Sequence, residues 1–202
     1  MTPPTVYLLS PANCAGKRAQ MLRTRPASIP LAARLLDGGI ALGEAFAFMS
    51  GLYFRGKLTY ARTFGATVGE WPGALVIAPG RGLLPADLVI RGTDLEAMAA
   101  VSIDLGNPRY VEPLVRDARS LADALGAAGR VVLLGSIATD KYVEPLGRVF
   151  GERLLFPATF VGRGDMSRGG LLLRHAARGE PLEYLPVRGA VRHGARPARL
   201  TE

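Results

Sequence analysis

The chain has 202 residues, 49% of them hydrophobic and 21% charged, the balance of a folded domain rather than a disordered chain. Its net charge of +8 and sequence pI of about 10.2 make a polyanion such as nucleic acid the first partner to consider. One cysteine, Cys14, and two histidines, His175 and His193, exclude an intrachain disulfide and a Cys- or His-rich zinc site, so no metal and no other cofactor is expected.

No apolar run reaches the roughly 18 residues of a membrane-spanning helix. Met1-Thr-Pro-Pro leads into a strand rather than a secretory signal, so a cytoplasmic protein without a membrane partner is expected. Nearly all the positive charge is arginine. The three lysines, Lys17, Lys57 and Lys141, each fall in a suspected loop after a strand, where a compact ammonium is not equivalent to a guanidinium.

Val6-Tyr-Leu-Leu-Ser10 is a short apolar run of the kind that forms a buried parallel strand, and a helix opens at Gly16 and runs to Leu22 with Lys17 and Arg18 on it. An amphipathic helix follows over Leu31–Leu36 and stops at Asp37-Gly-Gly. Ala45-Phe-Ala-Phe-Met-Ser50 reads as a second strand. After it, Leu52–Tyr60 mixes Tyr53 and Phe54 with Arg55 and Lys57. That mixture suits either stacking on bases and holding phosphates or an ordinary surface hairpin.

Ala74-Leu-Val-Ile-Ala78 reads as a third strand. Pro79–Pro85, too rich in Gly and Pro for regular structure, then sets Arg81 between two glycines, facing a phosphate. Val101–Asp104 is a further strand candidate, and Pro108–Leu125 has the spacing of a long surface helix with Tyr110, Leu114, Leu121 and Leu125 inward, ended by Gly126 and Gly129. Arg130–Ser136 is the clearest parallel strand. Thr139 or Asp140 caps a helix through Lys141–Leu146, which Pro145 should shorten or kink, and Leu154–Pro157 is the last central strand.

The segment Phe160–Arg174 holds four glycines, three arginines and one aspartate between apolar runs, a composition a packed core cannot use. Its glycines let backbone N–H groups approach a ligand. Asp165 or Ser167 can cap the helix beginning near Met166, and Arg163 and Arg168 add charge-assisted contacts to an anion at its N-terminus. The ordinary alternative is a Gly-rich turn with solvated arginines. Val187–Arg199 carries four more arginines, as a basic arm along a polyanion or a solvated tail.

Strand, loop and helix alternate without a repeat or a clear linker. The expected architecture is one α/β domain over residues 1–187, a three-layer sandwich with a mostly parallel central sheet and helices on both faces, followed by a basic tail over 188–202. Loops after Ser10, Ser50, Ala78, Gly135 and Pro157 should converge on one cleft at the carboxyl ends of the strands.

The chain has no Walker loop, and its Gly-rich loop comes too late for a dinucleotide fold. No Gly-x-Ser-x-Gly elbow surrounds its serines, which leaves a hydrolase triad weakly supported. Cys14, beside Lys17 and Arg18, is either an activated nucleophile or core filler.

In the order of its parts the chain resembles the uracil-DNA glycosylase-like superfamily, whose first strand ends in a water-activating loop and whose last ends in a loop that pinches the DNA backbone. Where that family has Gly-x-Asp/Asn-Pro, this chain has Ser10-Pro-Ala-Asn13-Cys-Ala-Gly-Lys-Arg18; where it has His-Pro-Ser, this chain has Gly164-Asp165-Met-Ser167 without the histidine. Val131–Ser136 resembles the strand-Leu-Gly before the family's intercalating-loop region. The resemblance implies a monomeric enzyme that flips a base out of DNA and cleaves its glycosidic bond. Asn13 and Asp165 would place water. Lys17, Arg18, Arg55, Lys57, Arg81, Ser136, Lys141, Arg163, Ser167 and Arg168 would contact DNA, and Tyr53 or Phe54 would stack or wedge. Because the usual Asp and His are missing, a modified or damaged base rather than uracil is the expected target.

A second similarity, of Leu9-Ser-Pro-Ala12 and Met49-Ser-Gly-Leu-Tyr53 to motifs of DNA-binding peroxide-stress proteins, implies a non-catalytic DNA-binding protein. A nucleotide-processing enzyme is the third reading.

Overall fold

The structure, a computed structural model, describes residues 3–195. The basic positions Arg196 and Arg199 lie outside the described residues. In chain order the first elements are β1 (Thr5–Leu9), α1 (Lys17–Thr24), α2 (Pro30–Asp37), β2 (Ile40–Ala41), α3 (Leu42–Ser50), α4 (Leu52–Phe64), β3 (Ala74–Ala78), β4 (Gly82–Pro85) and β5 (Val89–Ile90). There follow α5 (Gly92–Ala99), α6 (Pro108–Leu125), β6 (Arg130–Leu134), α7 (Asp140–Phe150), β7 (Leu154–Pro157), α8 (Asp165–Arg178) and β8 (Tyr184–Pro186).

Four strands run parallel in the order β3-β1-β6-β7, and a short antiparallel strand closes each edge, β4 beside β3 and β8 beside β7. β2 and β5 form a separate two-stranded ribbon. Because side chains alternate across a strand, β1 feeds two cores. Tyr7 and Leu9 pack with residues of α1–α5 and α8, while Val6 and Leu8 pack with α6 and α7. The sheet is therefore the middle of three layers. The chain leaves β1 for β3 on one face and leaves β6 for β7 on the other, so the order reverses between β1 and β6. That is the point where open α/β sheets leave a crevice at the strands' carboxyl ends.

Sequence periodicity located the long α6, with Tyr110, Leu114, Leu121 and Leu125 all buried, and all four parallel strands. Several expectations need correction. Ala45–Ser50 lies in helix α3, and Leu52–Tyr60 is not a loop but the body of helix α4. A short apolar run cannot by itself distinguish a buried strand from a buried helix, and this one lacks the β-branched residues that favour strands. Val101–Asp104 forms no strand, whereas part of the Pro79–Pro85 segment does, as β4. Gly80 and Gly82, at φ +76° and +80°, permit the tight turn that returns the chain beside β3. Neither Asp165 nor Ser167 caps α8; Gly164 is its N-cap, and α7 runs through Pro145 to Phe150.

Helices α4 and α8 cross backbone to backbone. A Cβ on Gly56 would stand 2.6 Å from the Gly169 carbonyl oxygen, and one on Gly169 would stand 2.8 Å from the Leu52 carbonyl oxygen. The Tyr184 hydroxyl bonds those of Tyr7 and Tyr60 and so joins β8 to β1 and α4, while Tyr60 accepts from the Leu182 N–H at 2.7 Å. Burial raises the pKa of all three phenols, which keeps the network protonated.

A methyl group at the crossing must push backbone aside. Gly56→Ala should destabilise the protein by about 1–3 kcal/mol, whereas Gly147→Ala, in α7 with open space around it, should stabilise it by about 0.5–1 kcal/mol. Denaturant unfolding of both variants checks the contrast.

Candidate functional site

Tyr53, Lys57 and Tyr60 recur at helical spacing along α4 and all face inward. Lys57, 1% exposed, is one of two buried polar or charged residues in the described chain; the other is Ser10. They meet at the end of β1. The Lys57 ammonium donates to the Ser10 carbonyl at 2.6 Å and to Ser10 Oγ at 3.0 Å, and lies 4.5 and 4.7 Å from the ring centroids of Tyr53 and Phe54. Burial pulls its pKa from 10.5 down to about 7; the Asp165 carboxylate opposes that shift and Arg168 adds to it.

Ser10 also links the two strands of the crevice. Its N–H donates to the Leu134 carbonyl at 3.2 Å, and its Cβ would lie 2.9 Å from a Cβ on Gly135, so only glycine fits there. Beyond it the chain turns at Asn13, whose Oδ1 accepts from the Ala15 N–H at 3.1 Å. A cavity of about 270 Å³ opens beside Asn13, lined also by Cys14, Pro79, Met98 and Ser102. The Cys14 thiol is buried, and desolvation raises its pKa to about 12. It is core filler and not an activated nucleophile.

The second half of the site is the start of α8. Asp165 occupies the first helical position with its side chain 71% exposed, 3.7 Å from Arg168. Arg168 is mostly buried, donates twice to the Phe160 carbonyl at 3.2 and 2.9 Å, and lies over the Phe160 ring. Arg163 donates to the Thr159 carbonyl at 2.9 Å and to Ser167 Oγ at 3.4 Å. Both guanidiniums thus brace the turn between β7 and α8. Tyr53 packs edge-on to Phe160; its buried hydroxyl has no hydrogen-bond partner among the described residues, and burial raises its pKa to about 12.

The other expected site residues fall into four groups. Ser136, whose Oγ accepts from the Ala138 N–H at 3.3 Å, and Lys141, over the Tyr142 ring, stand after β6 on the same edge of the sheet as Asn13 and α8. Lys17, Arg18 and Arg55 are exposed, and Arg18 donates to the Phe48 carbonyl at 3.1 Å. Arg81 is ion-paired with Asp94 in the β3–β4 turn. Tyr53 and Lys57, expected to face DNA from a loop, are instead buried under α8. In this arrangement neither offers a surface to a base or phosphate.

The expected basic tail also lies on the domain as far as it is described. Arg188 pairs with Glu152, Arg192 pairs with Asp140, and the backbone at Ala195 packs against Gly162. The partnership of Lys57 with Ser10 follows from the helical state of this segment and not from its composition, which is that of a loop as much as of a helix. Helical spacing with Tyr53 and Tyr60 was the signal that would have turned Lys57 inward.

Lys57 gives the site a pH signature. The unfolded chain holds this proton up to about pH 10.5, the folded chain only up to about 7. The stabilisation is therefore full above 10.5 and is lost as pH falls through 7. Between pH 7 and 9 the melting temperature should rise in the wild type relative to Lys57→Met. Parallel curves would mean that this amine is not held neutral. Against known proteins, the chain matches no family model, no curated protein and no solved structure.

Proposed function

We propose that the protein binds DNA across the carboxyl edge of its sheet and excises a modified or damaged base, leaving an abasic site. The observation that carries this reading is Asp165, a solvent-facing carboxylate at the N-terminus of α8, set beside Arg163 and Arg168 on the same sheet edge as the Asn13 turn.

Cleavage of a glycosidic bond passes through an oxocarbenium-like state, which a nearby carboxylate stabilises. In the proposed step, Asp165 and the Asn13 amide orient a water whose oxygen bonds to C1′. The C1′–N bond breaks with its electron pair going to the base, the water proton passes to Asp165, and the departing base takes up a proton from solvent, to which Asp165 then releases its own. Free N–H groups at the start of α8, with Lys141 and Ser136 across the crevice, hold the flanking phosphates. The net charge of +8 draws the polyanion in.

One observation favours a second reading, a DNA-binding protein without catalysis: Asn13 Oδ1 already accepts from the Ala15 N–H, so one of its two acceptor positions serves the turn rather than a water.

The deciding measurement is release of free base, or of alkali-labile sites, from DNAs carrying uracil, damaged bases and bulky modified cytosines. At least one substrate should be cleaved, and Asp165→Ala should slow it by roughly 10²–10⁴-fold. Binding without any abasic product would leave the non-catalytic reading standing. DNA affinity should also fall steeply between about 50 and 200 mM salt, since several phosphate contacts release counterions; an affinity indifferent to salt would remove both.

A further inference from the structure

We propose that Lys57 is a positioning residue: gripping Ser10 from beneath, it holds closed the turn from Ser10 to Gly16 that carries Asn13 across the carboxyl edge. Within this turn the hydrogen bonds are short-range, from Ala15 N–H to Asn13 Oδ1, from Gly16 N–H to the Asn13 carbonyl and from the Cys14 thiol to the Ala12 carbonyl. They shape it without tying it to the body of the protein. The polar ties to the body run through Ser10, whose N–H reaches Leu134 and whose carbonyl and hydroxyl are held by Lys57. The apolar ties are Ala12 and Cys14, each 5% exposed, in the core cluster that also holds Tyr53 and Phe54.

A lysine is suited to this task because its stem crosses the apolar layer and its head supplies several donors at one point. Without it the Ser10 carbonyl loses a donor while buried, and opening the turn to water becomes the way to satisfy it. The charged groups acting on Lys57 are Asp165 and Arg168 of α8, in opposite senses. Around it, the turn after β1 presents Ser10, α4 itself presents the Tyr53 and Phe54 rings, and α3 and β3 add Phe46, Met49, Val76 and Ala78 to the same cluster. The inference deepens the reading of the site, because the turn carries Asn13, but its test does not depend on DNA.

Cys14 is the only thiol in the chain and is buried within the turn, so its alkylation by iodoacetamide reports opening. A sulfur–carbon bond forms, iodide leaves and the thiol proton goes to solvent. In the full-length protein at pH 8, Lys57→Met should raise the rate about tenfold, and Ser10→Ala, which removes the hydroxyl but keeps the carbonyl bond, about threefold.

The pH profile separates positioning from a general loosening. Thiolate rises about tenfold per pH unit well below the thiol's pKa. In the wild type the closed turn gains as the buried amine sheds its proton, so the rate should climb less than tenfold per unit between pH 7 and 9, and by the full tenfold in Lys57→Met. Equal rates and equal slopes in a folded Lys57→Met protein would overturn the proposal. If that variant does not fold, Ser10→Ala reacting no faster, together with a full tenfold wild-type slope, overturns it equally. Protection of Cys14 that behaves as expected, with no base release from any DNA, would leave this role intact and remove the glycosylase reading. Base release with unaltered protection would do the reverse.

Discussion

The site depends on one constraint, the contact of α4 and α8 through Gly56 and Gly169. Each glycine is the sequence neighbour of a basic residue, Lys57 on one helix and Arg168 on the other. Bringing the backbones this close therefore forces two cations into one region. The protein accommodates them differently. Arg168 turns toward the Phe160 carbonyl and ring, where a planar, weakly hydrated guanidinium is well served. Lys57 goes down into the core, where it meets Ser10 and burial weakens its hold on its proton. Asp165, one turn from Arg168, offsets part of their repulsion. The exposed chemistry at the start of α8 and the buried chemistry at the end of β1 thus belong to one electrostatic unit.

How much of this was legible depended on length and pattern. Strands β1, β3, β6 and β7 are runs of Val, Ile and Leu bounded by Pro, Gly or Ser, and α6 carries an apolar stripe over 18 residues, long enough for a 3.6-residue period to be unambiguous. Helix α3, at nine residues, is nearly all apolar because it is buried on most sides, and a helix without a polar face has no period to read. The same misreading hid Lys57, since a lysine among aromatics in a loop faces solvent, whereas the same lysine four residues after Tyr53 in a buried helix cannot. The edge strands β4 and β8 are short and contain proline, and only tertiary pairing defines them.

The excess of arginine reads differently once partners are visible. Arg34, Arg62, Arg81 and Arg148 are paired with carboxylates on the surface, where each pair contributes only about 0–1 kcal/mol. Such pairs leave the net charge as it is but quench the local field around each guanidinium. What remains to attract a polyanion is concentrated in residues such as Lys17 and Arg55, which are exposed and have no carboxylate within ion-pair distance among the described residues. Sequence charge alone could not make that distinction.

The outer strands carry a consequence for how the molecule behaves in company. β4 and β8 contribute four and three residues, and each ends in a proline, Pro85 and Pro186. A proline offers no N–H to a further strand, and so short a ribbon gives a neighbour little backbone to grip. A sheet whose centre is among the most apolar sequence in the chain is thereby finished at both margins. The hydrophobic strands that make the crevice possible are kept from serving as a template for the same strands in another copy.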